Sequence, residues 1–194
     1  MGRYVGALVG AFLIMAGPVA AQSFTDAADA FKRKDYTTAL AIWYALAECG
    51  DPDAQADLAV MYRDGLGTPR DYVEAAKWFR QAAVAGVVNA QAGLGQLLNT
   101  GQGLRQDHAE AVKWLRLAAD RDFPQAQNDL GIMYAQGRGV EKDMVEAMKW
   151  FLLAARNFDE GARNRDNAAK TMTPDELAQA ERRAAGWKAP GRPN

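Results

Sequence analysis

Residues 126–161 read AQNDLGIMYAQGRGVEKDMVEAMKWFLLAARNFDEG, and residues 90–125 read AQAGLGQLLNTGQGLRQDHAEAVKWLRLAADRDFPQ. Residues 54–89 align on both without a gap, so the chain repeats with a period of 36 residues. Leu58, Leu94 and Leu130 coincide, as do Gly65, Gly101 and Gly137, and then Gly67, Gly103 and Gly139. Asp71/Asp107/Asp143, Glu74/Glu110/Glu146 and Trp78/Trp114/Trp150 complete the set. A period in this range marks stacked supersecondary units, none of which buries its apolar face alone.

Each unit carries two helical stripes. In the first, Ala54, Leu58, Ala59 and Tyr62 share one helix face, with Asp53 expected as its N-cap. Gly65 closes that helix and Gly67 turns the chain again. Asp71 and Glu74 have the spacing of a capping box at the start of the second helix. Ala75, Trp78, Phe79, Ala82 and Ala83 form its apolar stripe. Glu74/Lys77 and its two counterparts lie on the polar side, where each pair adds about 0.2–0.5 kcal/mol. Gly86 ends the second helix; Asp122 and Phe158 replace it, so those two turns are expected to differ.

The flanks depart from the unit. Residues 22–53 read as a shorter N-terminal capping hairpin, because Asp35, Tyr36, Ala39, Ala47 and Gly50 keep the second-helix register while the Gly-x-Gly loop is missing. Residues 162–188 read as C-terminal capping helices: a polar one over Ala162–Met172, then one opened by Thr173-Pro174-Asp175-Glu176. Residues 189–194 are expected to be a disordered tail. At the other end, Arg3, the apolar run Tyr4–Ala16, the Gly17-Pro18 break and Val19-Ala20-Ala21 make a secretory signal peptide over residues 1–21, cleaved after Ala21. That predicts a periplasmic or secreted protein with no stable membrane insertion after cleavage.

The formal net charge is −1, and −2 once residues 1–21, which carry only Arg3, are removed. Nucleic acid is therefore not an expected partner. A single cysteine, Cys49, forbids an intrachain disulfide. Cys49 is expected to pack near a helix end, with an exposed thiol making an intermolecular bridge as the alternative.

The consensus unit is Ala-x3-Leu-Gly-x2-Tyr-x2-Gly-x-Gly-Val-x2-Asp-x2-Glu-Ala-x-Lys-Trp-x3-Ala-Ala, matched throughout by the third copy from Ala126 to Ala155. It resembles the Sel-one-like repeat family, relatives of tetratricopeptide repeats. Departures are Ala59 for the glycine, Leu98 for the tyrosine, and Thr68 or Leu104 for the valine. The resemblance implies an all-α fold, a right-handed superhelix of antiparallel helix pairs, and a non-catalytic scaffold or adaptor that binds a protein or peptide. Secreted bacterial members act in envelope assembly, exopolysaccharide regulation or host interaction. A regulator binding a cell-wall or exopolysaccharide fragment is the alternative. Hydrolysis of penicillin-like compounds belongs to a branch whose paired cysteines are absent here.

The chemical inventory is thin. Ser23, His108 and Cys49 are the only residues of their kinds, which leaves no nucleophile–base set and no zinc set. No catalytic residue, cofactor or metal is expected, nor a small-molecule ligand. His108 is expected as a solvated helix-start residue. The Asp-x2-Glu pairs recur at helix starts, where capping explains them. Binding residues are sought where units disagree, on the first helices: Arg63, Gln96, Asn99, Asn128, Ile132 and Gln136. Leu117, Leu152 and Leu153, polar in the first unit, are expected to pack on the next helix or the C-terminal cap. The tryptophans and tyrosines mostly fall on core stripes, which favours a protein over a carbohydrate partner.

Overall fold

The computed structural model describes residues 24–188, which form ten α-helices and no strand. The signal segment, its cleavage after Ala21, and the tail 189–194 lie outside the described residues. In order the helices are α1 (Phe24–Lys32), α2 (Tyr36–Glu48), α3 (Pro52–Asp64), α4 (Tyr72–Val84), α5 (Val88–Thr100), α6 (His108–Ala119), α7 (Pro124–Gln136), α8 (Met144–Ala154), α9 (Asp159–Ala169) and α10 (Pro174–Gly186). From α1 to α8 successive helices pair as hairpins, and each hairpin packs on the next to give an all-helical solenoid; α9 and α10 both pack on α8. The odd-numbered helices make one row, the A row, and the even-numbered ones the B row. Among the described residues no helix is long and apolar enough to cross a membrane.

The start of α3 is shifted from its expected place. Asp51, not Asp53, caps α3: its side chain accepts from the Ala54 backbone at 2.8 Å, and Pro52 takes the first helical position. Proline is favoured there because its missing N–H has no intrahelical use. Asp71, Asp107 and Asp143 cap α4, α6 and α8 through the backbone N–H of Glu74, Glu110 and Glu146. The reciprocal half of the box is not made at these three sites: Glu74 turns to Lys77 of its own helix, and Glu110 and Glu146 each accept from a tryptophan N–H and from an arginine of another helix. Both halves form at Thr173/Glu176.

The B-helix ends correct a second expectation. Asp122 takes a left-handed conformation, φ 61°, as Gly86 does at 93°, so the second turn keeps the shape of the first. Aspartate tolerates this conformation better than most residues. Phe158 does differ: it is extended, φ −149°, and starts α9 at Asp159, three residues before the expected Ala162.

Alanines and large rings alternate through the core. Phe79 is completely buried, and a Cβ at Gly93 would lie 2.7 Å from its ring. Phe151 presses on Gly131 in the same way, at 2.6 Å. These mid-helix glycines therefore make room for rings. Trp78 and Trp150 are buried, whereas Trp114 is half-buried. Of the three divergent leucines, Leu153 is buried and Leu152 partly so, but Leu117 is exposed. Cys49 is exposed at the end of α2, against the expectation of packing.

Two devices join one unit to the next. Gln55, Gln91 and Gln127, again 36 apart, are buried; each donates from Nε2 to a carbonyl in the last turn of the preceding B helix, at Ala47, Ala83 and Ala119, 3.2–3.3 Å away. Each of those carbonyls also accepts one backbone N–H of the following turn, from Gly50, Gly86 and Asp122, and the amide takes its second lone pair. The second device is the loop glycine. Gly103, φ 74°, lies so close to the start of α4 that a Cβ would come within 2.0 Å of the Tyr72 carbonyl oxygen. Gly139 meets the His108 carbonyl likewise, at 2.2 Å.

Candidate functional site

The A row carries the largest concentration of residues that differ between units. Between α3, α5 and α7 it opens into a groove of about 360 Å³, with Arg63 and Asp64 on one wall, Gln96, Asn99 and Thr100 on the floor, and Asp129 on the far side. Arg70 and Tyr72 close one end. Three of the six residues predicted from sequence, Arg63, Gln96 and Asn99, thus converge on one site.

Local structure fixes each of them. Arg63, in the last turn of α3, donates from Nε and Nη2 to the two carboxylate oxygens of Asp64 at 2.7 and 2.8 Å. Its guanidinium also lies 5.8 Å from the centre of the Phe79 ring. The Asp64 carboxyl is held below the usual carboxylate range, first by the Arg63 hydrogen bond. Gln96 donates from Nε2 to Asp129 at 2.8 Å, bridging α5 to α7. Burial pushes the Asp129 carboxyl above its ordinary value, and the Gln96 bond offsets part of that shift. Asn99 shares a 3.0 Å hydrogen bond with His108 and accepts at its backbone carbonyl from Gln106. His108 is accordingly half-buried and tied to α5, not free at a helix start.

The other three predicted residues lie elsewhere. Asn128 is 2% exposed, and its oxygen accepts from Asn164 of α9 at 2.7 Å, so it joins two A helices and is not available to a partner. Ile132 is half-buried against the C-terminal apolar cluster around Met148 and Phe151. Gln136 is exposed at the end of α7. Asp129 was within reach of the same sequence criterion, because its register reads Asp57, Gly93 and Asp129 in the three units. Arg70 and Tyr72 come from the loop and the start of a B helix, where a search of first helices does not look.

The groove offers donors and acceptors of both signs on a rigid helical frame. Among the described residues no group of His, Cys, Asp and Glu is arranged to hold a metal ion.

Comparison with known proteins agrees with the repeat architecture. The Sel1 repeat family model matches residues 52–87, 88–123 and 124–157. Among solved structures, the chain is similar to c5321, described as a protective antigen present in uropathogenic Escherichia coli strains displaying an SLR fold. The two are 38% identical with a TM-score of 0.71, over 75% of this chain and 32% of that one. It is also similar to a Sel1 repeat protein from Oxalobacter formigenes, at 27% identity and a TM-score of 0.70, over 80% of this chain and 63% of that one. The chain spans about a third of the first relative and under two thirds of the second. No curated protein matches. Sel1 repeat proteins generally mediate protein–protein interactions and are typically non-catalytic. Each matched segment opens two residues before the copies at 54, 90 and 126, at Pro52, Val88 and Pro124, where the A helices themselves begin. Three such segments cover more than half of the sequence, and the chain belongs to the Sel1 repeat family.

Proposed function

We propose that the protein is a non-catalytic scaffold of the bacterial envelope or its exterior, which holds a protein or peptide in the groove between α3, α5 and α7. The observation that carries this reading is the convergence of Arg63, Gln96, Asn99 and Asp129, all at positions that vary between units, on one open site of the A row. Residues that repeat are used up by stacking. Residues that vary are not tied to the contacts common to every junction, and here they cluster. Localisation rests on the signal-peptide pattern of residues 1–21, and N-terminal sequencing of envelope protein should begin at Gln22.

Site-specific photocrosslinking in the native envelope tests the surface. A probe at Gln102, which lines the groove, should capture a protein that a probe at Val84, 74% exposed on the B row, does not. Arg63→Ala with Asn99→Ala should abolish that product while the far-ultraviolet circular dichroism stays unchanged. Equal capture from both positions, or capture that survives the double variant, moves the site off the groove. Turnover of any substrate that is lost on changing His108 or Glu110 would overturn the non-catalytic reading.

A further inference from the structure

A second opening lies on the same row, one hairpin nearer the N-terminus. It is a notch of about 300 Å³ between α1 and α3, lined by Ala28, Phe31, Lys32, Trp43, Asp57 and Val60. This is the lower end of the size that holds a small ligand or a single side chain. Its walls are apolar and aromatic, with Phe31 and Trp43 rings 5.4 Å apart. Its one acidic lining residue is Asp57. Among the described residues, no hydrogen bond or ion pair reaches that carboxylate.

The register shows how unusual this is. Asp57, Gly93 and Asp129 occupy one position of the repeat. At 93 the side chain is absent and the Phe79 ring fills the space. At 129 the carboxylate has Gln96 as its donor. At 57 there is a carboxylate and no donor. Burial, then the negative charges of Asp53 and Asp51, push the Asp57 carboxyl up to about 6. It is therefore ionised at neutral pH, partly stripped of water and unpaired. Such a group lowers the stability of the free protein, and groups of that kind concentrate at binding sites.

We propose that the notch receives a cationic side chain, lysine or arginine, from the protein or peptide bound in the adjoining groove. The ammonium or guanidinium would pair with Asp57, and the methylene stem would lie along Phe31, Trp43 and Val60. This assignment rests on the scaffold reading given above. Charge complementarity selects the occupant. An anion is repelled by Asp57, Asp53 and Asp51, and a neutral apolar group would desolvate the carboxylate further without pairing it. The single lining carboxylate is too small a donor set for a divalent cation. Lys32 also lines the notch, but its ammonium is paired with Asp29 at 3.1 Å. Asp57 and Arg63 are six residues apart on α3, about 9 Å along the helix axis. An extended peptide covers that distance in about three residues, so the basic residue should lie about three positions from the segment in the groove.

Titration of the purified protein with n-butylammonium and n-butylguanidinium, against neutral 1-pentanol, tests this. The readout is the indole N–H resonance of Trp43, assigned with Trp43→Phe. At pH 7.5 both cations should give a saturable shift and pentanol none. Asp57→Asn should weaken the cations at least tenfold, with the remaining indole resonances unmoved to show an intact fold. Lys32→Ala should leave affinity unchanged or raise it. Affinity should fall as pH drops through 6 towards 4; the other charged or polar groups at the notch are Lys32, which lines it from α1 and pairs with Asp29, and the Trp43 indole from α2, while Asp53 and Asp51 act on Asp57 through their charge from the start of α3. Equal shifts with pentanol, no saturable shift with either cation, retained affinity in Asp57→Asn or lost affinity in Lys32→Ala would each overturn the proposal. Arg63→Ala should not affect these small probes. Cation binding without any protein captured at the groove would fault the scaffold reading alone, and capture without cation binding would fault the notch alone.

Discussion

The first and third repeats carry the same Glu-Ala-x-Lys-Trp segment and use it differently. In the third, the Glu146 carboxylate is 15% exposed and accepts from Trp150 Nε1 at 3.0 Å, from Lys149, and from Arg183 of α10 at 3.2 Å. Arg116 of the preceding B helix lies 5.0 Å from the Trp150 ring centre. In the first, Glu74 is 36% exposed and pairs with Lys77 alone, and the buried Trp78 N–H has no partner. The residue in the register of Arg116 is here Tyr44, which sits edge-on to Trp78 at 6.2 Å. The middle repeat resembles the third: Arg80 and Trp114 both donate to Glu110 Oε1, at 2.8 and 3.1 Å. The shared letters bring each tryptophan inward. A varying residue in the preceding unit decides whether its N–H is satisfied, because only arginine draws the glutamate across.

The sharpest way to break this comparison is to truncate the tryptophans. Trp150→Ala should cost about 3–5 kcal/mol, the range for large aromatics in cores, with half-buried Trp114→Ala costing less. Urea unfolding would measure both, and a smaller loss at Trp150 would mean that the third unit is not the better-packed one. Next come the loop glycines. Gly103→Ala meets the Tyr72 backbone at 2.0 Å and should cost more than ~2 kcal/mol. Gly86→Ala, whose Cβ would meet only the flexible tip of Arg121 at 3.7 Å, should cost only the ~1–2 kcal/mol of a left-handed L-residue. Equal melting temperatures for the two would remove the inter-unit contact from the account.

Glutamate replacement sharpens the comparison directly. Glu146→Gln should cost about 1.5–3 kcal/mol, as for hydrogen bonds to a charged group. Glu74→Gln should stay within ~0.5 kcal/mol. The smallest effect concerns the two aspartates of one register, Asp57 and Asp129. A carboxyl raised to about 6 in the folded state destabilises it as pH climbs from about 4 to about 6. Asp57→Asn should therefore gain on the order of 1 kcal/mol at pH 7.5, discounted for partial solvent exposure, and nothing at pH 4. Asp129→Asn should gain less, because Gln96 already stabilises that anion. An Asp57→Asn gain independent of pH would point to packing as its cause.

The repeat, the caps at Asp71, Asp107 and Asp143 and the turn glycines were legible because each is a local demand of the backbone on one residue type. The buried glutamines at 55, 91 and 127 were equally periodic, yet glutamine passes for a surface residue until its amide is seen on a carbonyl of another helix. Asn128 was misleading for the same reason: it varies between units because α9 follows it, not because a partner does. The groove was half legible. Arg63, Gln96 and Asn99 stand out by their variation, while Arg70 and Tyr72 enter only once helix pairs are stacked. The unpaired state of Asp57 could not be read at all, since it depends on the donor a neighbouring helix fails to supply.

The glutamine amides and loop glycines give successive junctions between units the same two contacts, and that has a consequence for length. Joining α4 to α7 by removing residues 88–123 would set Gln127 against Ala83 and Gly139 against Tyr72, the same residue types that meet now. Whole units are thus interchangeable parts, and their number is free to drift without redesigning a seam. The series ends where that grammar fails: α9, which follows α8 in the place of a further first helix, carries Arg163 where the glutamine stands in the three units. Duplication or loss of one unit would shift the notch and the groove by a whole helical pair, so the spacing between two bound segments could evolve in discrete steps, as on a ruler.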